Sequence, residues 1–316
     1  MEKTSKIYIA GHTGLVGSVL VRKLQSDGYS NLVYRTFEEL DLTNQRAVAD
    51  FFASEKPEYI FLAAAKVGGI LANNTYPAQF IYENLQIQNN IIHQAYVSGV
   101  KKLLFLGSSC IYPRDCAQPI KEEYLLTGSL ESTNEPYAIA KIAGIKMCQS
   151  YNRQYDTNFI AVMPTNLYGP NDNFDKQNSH VIPALIRKFY EAKTSGVPTV
   201  EVWGTGAARR EFLFVDDMAD GCVFLMNNFN PTKEQNDRGE IFVNLGTGTD
   251  VSIKELVGLL VDISGFKGDV VWDTSKPDGT PQKLLDVSRI RNMGWNSKID
   301  LQTGLRLAYE WYSHSL

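Results

Sequence analysis

Ile7-Tyr8-Ile9-Ala10-Gly11-His12-Thr13-Gly14-Leu15-Val16-Gly17 is the stretch that decides the fold. Four apolar residues make a short strand. Glycines at 11, 14 and 17 follow, and a helical apolar period (Val16, Val19, Leu20, Leu24) begins inside them. Glycine permits a turn with positive φ and lets a pyrophosphate approach backbone N–H groups. The helix N-terminus adds a partial positive charge. Taken alone, the glycines could also be a tight turn with no ligand. Their place at the first strand-to-helix junction of a βαβ pattern favours a dinucleotide.

Working outward, the same alternation repeats. Leu32-Val33-Tyr34 reads as a strand, and Leu42 to Phe52 as a helix with Thr43 as N-cap. Tyr59 to Ala65 is a buried strand, and Pro77 to Ser98 a long helix. Leu103 to Gly107, Tyr137 to Gln154 and Phe159 to Met163 continue as strand, helix and strand. This pattern predicts an α/β fold, a Rossmann-type doubly wound parallel sheet. Pro, Gly and Asn crowd the stretch from Pro164 to Asn178, and shorter elements follow. The expected division is residues 1–168 as the dinucleotide-binding domain and 169–316 as mainly a smaller α/β substrate-binding lobe. A segment of about 211–248 returns to the first sheet.

The bulk properties fit a globular protein. The 316 residues are 44% hydrophobic and 21% charged, with 31 basic against 35 acidic side chains. A net charge of −4 leaves no cationic excess for phosphate backbones, so neither nucleic acid nor a membrane surface is an expected partner. No apolar run approaches the ~20 residues of a spanning helix. Cys110, Cys116, Cys148 and Cys222 form no CxxC pair and no metal-ligand spacing, which points to a reducing, cytoplasmic setting without a bound metal.

The second strand ends in Tyr34-Arg35-Thr36, where an NAD site usually has an acidic residue for the ribose 2′-OH. Arg35 could pair with a 2′-phosphate, so NADP(H) is the expected cofactor. Asp41-Leu42 is a candidate for the adenine amino group. Tyr137-Ala138-Ile139-Ala140-Lys141 sets a phenol and an ammonium one helical turn apart on one face. A free phenol titrates near ~10, and a neighbouring cation favours the phenolate. Lys141 can also hold the nicotinamide ribose hydroxyls. Ser108 ends the fourth strand, where ligands bind in this architecture, and can hydrogen-bond a substrate oxygen beside the phenol. Together these features resemble the extended short-chain dehydrogenase/reductases, in the branch that acts on nucleotide sugars.

Ser108 is followed by Ser109 and Cys110, and not by the Asp-Glu pair of the dehydratases in that superfamily. Cys110 is either a small buried residue or an acid–base group. Longer blocks narrow the resemblance. Ala65-Lys66-Val67-Gly68-Gly69-Ile70, Asn73-Asn74-Thr75-Tyr76-Pro77, Gly107-Ser108-Ser109-Cys110-Ile111-Tyr112-Pro113 and Asn134-Glu135-Pro136-Tyr137 resemble the GDP-L-fucose synthases. So do Pro164-Thr165-Asn166-Leu167-Tyr168-Gly169-Pro170, Asn178-Ser179-His180-Val181-Ile182-Pro183 and Lys276-Pro277-Asp278-Gly279-Thr280-Pro281.

That resemblance implies a 3,5-epimerase and NADPH-dependent 4-reductase that turns GDP-4-keto-6-deoxy-D-mannose into GDP-L-fucose. It implies Ser108, Tyr137 and Lys141 at the reduced carbonyl, Cys110 as base and His180 as acid. The cofactor would lie on Gly11, Thr13, Gly14, Leu15, Val16, Gly17, Arg35, Asp41, Leu42, Ala63, Ala64, Ala65, Lys141, Pro164, Asn166, Leu167 and His180. The GDP-sugar would meet Lys188, Trp203, Arg210, Asp278 and Lys283. A homodimer through the helices near Pro77–Ser98 and Tyr137–Gln154 is expected from the same source. Related GDP-4-keto sugars, a 3,6-dideoxy sugar or a heptose, are alternative substrates, and a non-catalytic NADP sensor is a remote one. Thr13 and Phe37 stand where relatives carry arginines, and Phe214 where histidine is common. These departures weaken the expected NADP preference and make NADH the alternative cofactor.

Overall fold

The structure is a computed structural model that describes residues 1–175, 179–276 and 278–315; of Ile70 only the backbone is described. Asn178 and Pro277, quoted in two of the sequence blocks, lie outside the described residues.

The first half runs β1 (Ile7–Ala10), α1 (Leu15–Ser26), β2 (Leu32–Val33), α2 (Gln45–Glu55), β3 (Tyr59–Leu62), α3 (Ile70–Thr75), α4 (Pro77–Val97), β4 (Lys102–Leu106), α5 (Glu135–Tyr155) and β5 (Phe159–Pro164). The second half runs β6 (Asn166–Tyr168), α6 (Val181–Ser195), β7 (Thr199–Trp203), β8 (Arg209–Phe214), α7 (Val215–Asn228), α8 (Lys233–Arg238), β9 (Phe242–Leu245), β10 (Asp250–Ser252), α9 (Ile253–Ser264), β11 (Asp269–Asp273), β12 (Gln282–Lys283), α10 (Ser288–Asn292) and α11 (Leu301–His314).

Six strands pair in parallel in the order β2-β1-β3-β4-β5-β9, a Rossmann-type sheet. Their residues are almost all buried, as expected of strands covered on both faces by helices. The chain leaves β1 toward one edge and returns to the other side of β1 as β3. The order therefore reverses between β1 and β3, and ligands of such sheets bind outside the carboxyl ends at that switch point.

Local chemistry shifts two expected boundaries. The N-cap of α2 is Asn44, whose Oδ1 accepts from the Ala47 N–H at 3.1 Å. Thr43 is not the cap, because its hydroxyl and N–H both donate to Asp41 Oδ1 at 2.8 and 2.9 Å. The third strand ends at Leu62, and Ala63, Ala64 and Ala65 leave the sheet toward the glycine loop. The six-residue helix α3 has no counterpart in the sequence reading.

Two apolar cores result. The larger lies on the six-stranded sheet and takes in α7 and β9, together with Leu285, Val287, Ile290 and Trp295. The last four fall in a stretch that the sequence leaves with the smaller lobe. The second core joins α6, α9, α11, β7 and β8 through residues such as Ile186, Phe189, Leu256, Leu260 and Leu305. Phe214 explains itself here: it is 3% exposed and meets Tyr168 edge-on, ring centroids 5.6 Å apart. In the smaller lobe β8 is central, flanked by β10, β12 and β6, while β7 pairs with β11.

One buried cation ties β4 to α7. The Lys102 ammonium, at the start of β4, donates to the carbonyls of Leu225, Met226 and Phe229 at 3.1, 2.9 and 2.6 Å. It closes the carboxyl end of α7, where unpaired carbonyls and the helix dipole favour positive charge. No helix among the described residues is long and apolar enough to cross a membrane.

Candidate active site

The glycine loop is built for close approach. Gly11 has φ +86°, and a Cβ there would lie 2.7 Å from Ala64 Cα. A Cβ on Gly17 would lie 2.0 Å from the Gly11 carbonyl oxygen, so α1 presses onto the loop. Gly14 caps α1 without a side chain, and the first turn of α1 carries no acidic residue. The first amides of α1 are thus free of a side-chain cap, which suits a pyrophosphate. These observations fit a dinucleotide on this loop. Leu15 and Val16 open α1, and Thr13 is exposed in the loop.

The adenosine end differs from a simple arginine clamp. Arg35 donates to Glu55 Oε1 at 2.6 Å and to the Tyr34 carbonyl at 2.8 Å. Its guanidinium therefore has a partner already, while Phe37 is 71% exposed. The His12 ring stacks on Tyr34, centroids 4.6 Å apart. Asp41 Oδ1 is engaged by Thr43, and the Leu42 carbonyl accepts from Asn90 at 2.9 Å.

At the carboxyl end of β4, Ser108 caps a short 3-10 turn, Ser109–Ile111, and its Oγ accepts from the Cys110 N–H at 3.4 Å. The Ser108 hydroxyl also acts on the Tyr137 phenol, favouring its ionised form. Tyr137 and Lys141 sit on the first two turns of α5, a helix opened by Pro136. The Lys141 ammonium is buried, donates to the Leu106 carbonyl at 2.8 Å and lies 5.6 Å from the Tyr137 ring centroid. Burial pulls it down to about 8, opposed by the nearby Cys110. The expected lowering of Tyr137 by Lys141 is not what the surroundings give. Burial pushes the phenol up, and Cys110 adds to this against the pull of the Ser108 hydroxyl. Tyr137 is therefore a phenol at rest, fit to donate a proton.

Cys110 is 8% exposed. Burial raises its thiol, while Lys283, Ser108 and Lys141 pull it down. His180 is the N-cap residue of α6, makes no cap hydrogen bond and is solvent-accessible. Partial desolvation and the charge of Lys283 depress its imidazole. Lys283 on β12 thus bears electrostatically on both Cys110 and His180. Burial and the neighbouring Arg210 lower it in turn, against the pull of Cys110.

The GDP candidates gather round the turn after β7. Trp203 is 61% exposed, with the ammonium groups of Lys188 and Lys276 each 5.6 Å from its ring centroid. Lys276 lies in a quoted sequence block but was not singled out as a ligand; the signal was a cation two residues before Asp278. Lys188 also donates to the Glu201 carbonyl at 2.9 Å. Both carboxylate oxygens of Asp278 are held by Thr205, at 2.7 Å each. Asp278 thereby shapes the turn, and its carbonyl lies 3.5 Å from an Arg210 nitrogen. Arg210 also donates to the Arg209 carbonyl at 2.8 Å.

Pro164 ends β5, and Asn166 and Leu167 open β6 beside β8. Among the described residues, five buried polar side-chain atoms have no protein partner: His12 Nδ1, Asn73 Oδ1, Asn134 Oδ1, Asp172 Oδ2 and Ser179 Oγ. His12 lies in the glycine loop, Asn73 in α3, Asn134 just before α5, Asp172 after β6 and Ser179 next to His180. Asp172, which the sequence did not single out, carries a carboxyl pushed up to about 7 by burial.

Comparison with known proteins agrees with the fold. The model of the NAD dependent epimerase/dehydratase family matches residues 7–243. The chain is 59% identical to GDP-L-fucose synthase 1 of Arabidopsis thaliana, over 98% of this chain and 94% of that protein. It is 56% identical to GDP-L-fucose synthase of Escherichia coli K12, over 97% and 96%. Among solved structures it is similar to a GDP-mannoheptose C4 reductase from Campylobacter jejuni with NADP bound, at 45% identity and TM-score 0.90, over 99% of each chain. With its glycine loop, its six-stranded parallel sheet and these relatives, the chain belongs to the NAD dependent epimerase/dehydratase family.

Proposed function

We propose that this protein is a bifunctional 3,5-epimerase and 4-reductase that converts GDP-4-keto-6-deoxy-D-mannose to GDP-L-fucose with NADP(H). The observation that carries the reading is the convergence of Ser108, Cys110 and Tyr137, flanked by Lys141, Lys283 and His180, in a chain 56–59% identical to GDP-L-fucose synthases. The heptose reductase, at 45% identity, supports the wider class of GDP-4-keto sugars and stands behind the fucose reading.

The chemistry follows from the ketone. A C4 carbonyl acidifies the protons on C3 and C5. Removing either gives an enolate, which hydrogen bonds from Ser108 and Tyr137 stabilise. Cys110 takes the proton as thiolate, and His180 returns one to the opposite face as imidazolium. Lys283 favours the thiolate and Tyr137 supplies the proton to the C4 oxygen. Lys141 holds the ribose next to the nicotinamide. NADPH, when bound, supplies the hydride for C4.

Gly11, Gly14, Gly17 and the α1 amides hold the pyrophosphate of the dinucleotide, with Ala63 to Ala65, Pro164, Asn166 and Leu167 beside them. Lys188, Arg210, Trp203 and Lys276 hold the GDP moiety, the cations against its pyrophosphate and the indole as an aromatic surface. The working form is a cytoplasmic homodimer through α4 and α5, whose outer faces expose Tyr82, Val97, Ile139 and Tyr155.

Two variants separate the steps. Cys110→Ser is expected to lose hydrogen exchange at C3 and C5 yet still oxidise NADPH with an already epimerised keto sugar. Tyr137→Phe is expected to keep exchange and lose reduction by roughly 10²–10⁴-fold. A Cys110→Ser protein that exchanges at the wild-type rate sinks the assignment of the base.

A further inference from the structure

Glu211 is 0% exposed, and the chemistry above does not use it. It sits at the middle of β8, directly after Arg210. One carboxylate oxygen accepts from the Gly248 N–H at 2.7 Å and lies 3.4 Å from the Thr247 hydroxyl. The other accepts from the Leu285 N–H at 2.9 Å. Its main-chain carbonyl accepts from the Thr165 hydroxyl at 3.1 Å and the Asn166 amide at 2.8 Å. A Cβ at position 246 would lie 2.2 Å from the carboxylate, so Gly246 leaves the space it fills.

These bonds join three segments that carry site residues. Leu285 lies two residues past Lys283, which pairs in register with Arg210. The same stretch is tied to the chain that follows Cys110: the Ile120 N–H donates to the Leu284 carbonyl at 2.7 Å, and the Asp286 N–H to the Ile120 carbonyl at 2.8 Å. Thr165 and Asn166 follow the end of β5 on the cofactor side. Among the described residues no cation bonds the Glu211 carboxylate; its donors are backbone N–H groups and a hydroxyl. Charge-assisted bonds of this kind are short and strongly directional. An acceptor-only group that faces two N–H donors can be replaced by neither an amide nor an apolar group without leaving a donor unpaired.

We propose that Glu211 is a positioning residue that locks the Lys283 strand and the Gly246–Gly248 turn onto β8, setting Arg210 and Lys283 at the height of Cys110 and tying them to the Thr165–Asn166 junction. The inference rests on the GDP-sugar reading of this site and deepens it. It assigns a role to a residue that touches neither substrate nor cofactor.

The test uses the isosteric variant Glu211→Gln in the full chain, with GDP and NADPH titrated separately by calorimetry. The Gln amide must turn its NH2 toward either Leu285 or Gly248, so one bond is lost and a donor is left facing a donor. The expected result is a Kd for GDP weakened roughly tenfold or more, with the NADPH Kd within about twofold of wild type. Hydrogen exchange at the amides of Gly248 and Leu285 is expected to speed up in the same variant. If Glu211→Gln does not fold, Thr165→Val removes one bond to the Glu211 carbonyl at nearly constant volume and is expected to shift GDP affinity in the same direction, by about two- to threefold. A variant with faster exchange and wild-type GDP affinity makes Glu211 merely structural and overturns this inference alone. Failure of the wild-type protein to bind GDP overturns the GDP-sugar reading, and this inference with it.

Discussion

At the level of single residues, the acid–base pair is set against its own resting state. Burial raises the Cys110 thiol above its ordinary 9.0, and desolvation with Lys283 lowers the His180 imidazole below its ordinary 6.5. The productive form needs the reverse, a thiolate and an imidazolium. When the base has the higher pKa, the fraction in that form is constant between the two values and falls outside them. Exchange at C3 and C5 is therefore expected to be flat with pH across at least 6.5 to 9.0, with the acidic limb below and the alkaline limb above. Lys283 lowers both groups, so Lys283→Met is expected to move both limbs to higher pH. Limbs that stay in place would show that Lys283 acts on the nucleotide alone. Strand ends and an i, i+4 spacing can be counted, so the sequence singled out Ser108, Tyr137 and Lys141, while it left Cys110 open between a small buried residue and an acid–base group. It did not reveal that burial outweighs Lys141 at Tyr137, since desolvation depends on what packs around the phenol. Nor did it reveal that Arg35 already pairs with Glu55, a residue twenty positions along the chain.

At the level of elements, the glycine loop and α1 were readable because the three glycines stand where backbone must touch backbone. Gly17 is the sharpest case: an added Cβ would lie 2.0 Å from the Gly11 oxygen and 2.6 Å from its carbonyl carbon. Neither atom belongs to a side chain that can move aside. Gly17→Ala is expected to displace the start of α1 from β1, costing about 1–3 kcal/mol of stability in a urea titration. The same displacement is expected to weaken NADPH by roughly tenfold or more in a fluorescence titration. An unchanged melt and an unchanged Kd would mean that the loop does not clamp the pyrophosphate as described. Helix α2 shows the limit of local reading: Thr43 and Asn44 are both good caps, and only the competing pull of Asp41 on Thr43 decides between them. The helix α3 was missed for a related reason: six residues, Ile70 to Thr75, are too short for an apolar period to show.

At the level of the whole molecule, the sheet order reverses between β1 and β3, and the smaller lobe is threaded back through the larger one. Leu285 to Trp295 pack in the larger core although they follow most of the smaller lobe in sequence. No periodicity announces such a return, because it is decided by long-range partners such as the Glu211 carboxylate and the Ile120 backbone. The outer face of α4 exposes Tyr82 and Val97 at 61% and 58%. Light scattering is expected to give twice the 35.4 kDa chain mass at micromolar concentration, and Tyr82→Glu with Val97→Glu to halve it. A single-chain mass for the unaltered protein would remove the dimer.

The central claim is that one cleft both epimerises and reduces a GDP-4-keto sugar. The most direct measurement is to incubate the protein with GDP-4-keto-6-deoxy-D-mannose in deuterated water and follow the sugar by NMR, before and after NADPH is added. The account predicts deuterium at C3 and C5 without NADPH, and GDP-L-fucose on its addition. No exchange at either carbon and no oxidation of NADPH would contradict it.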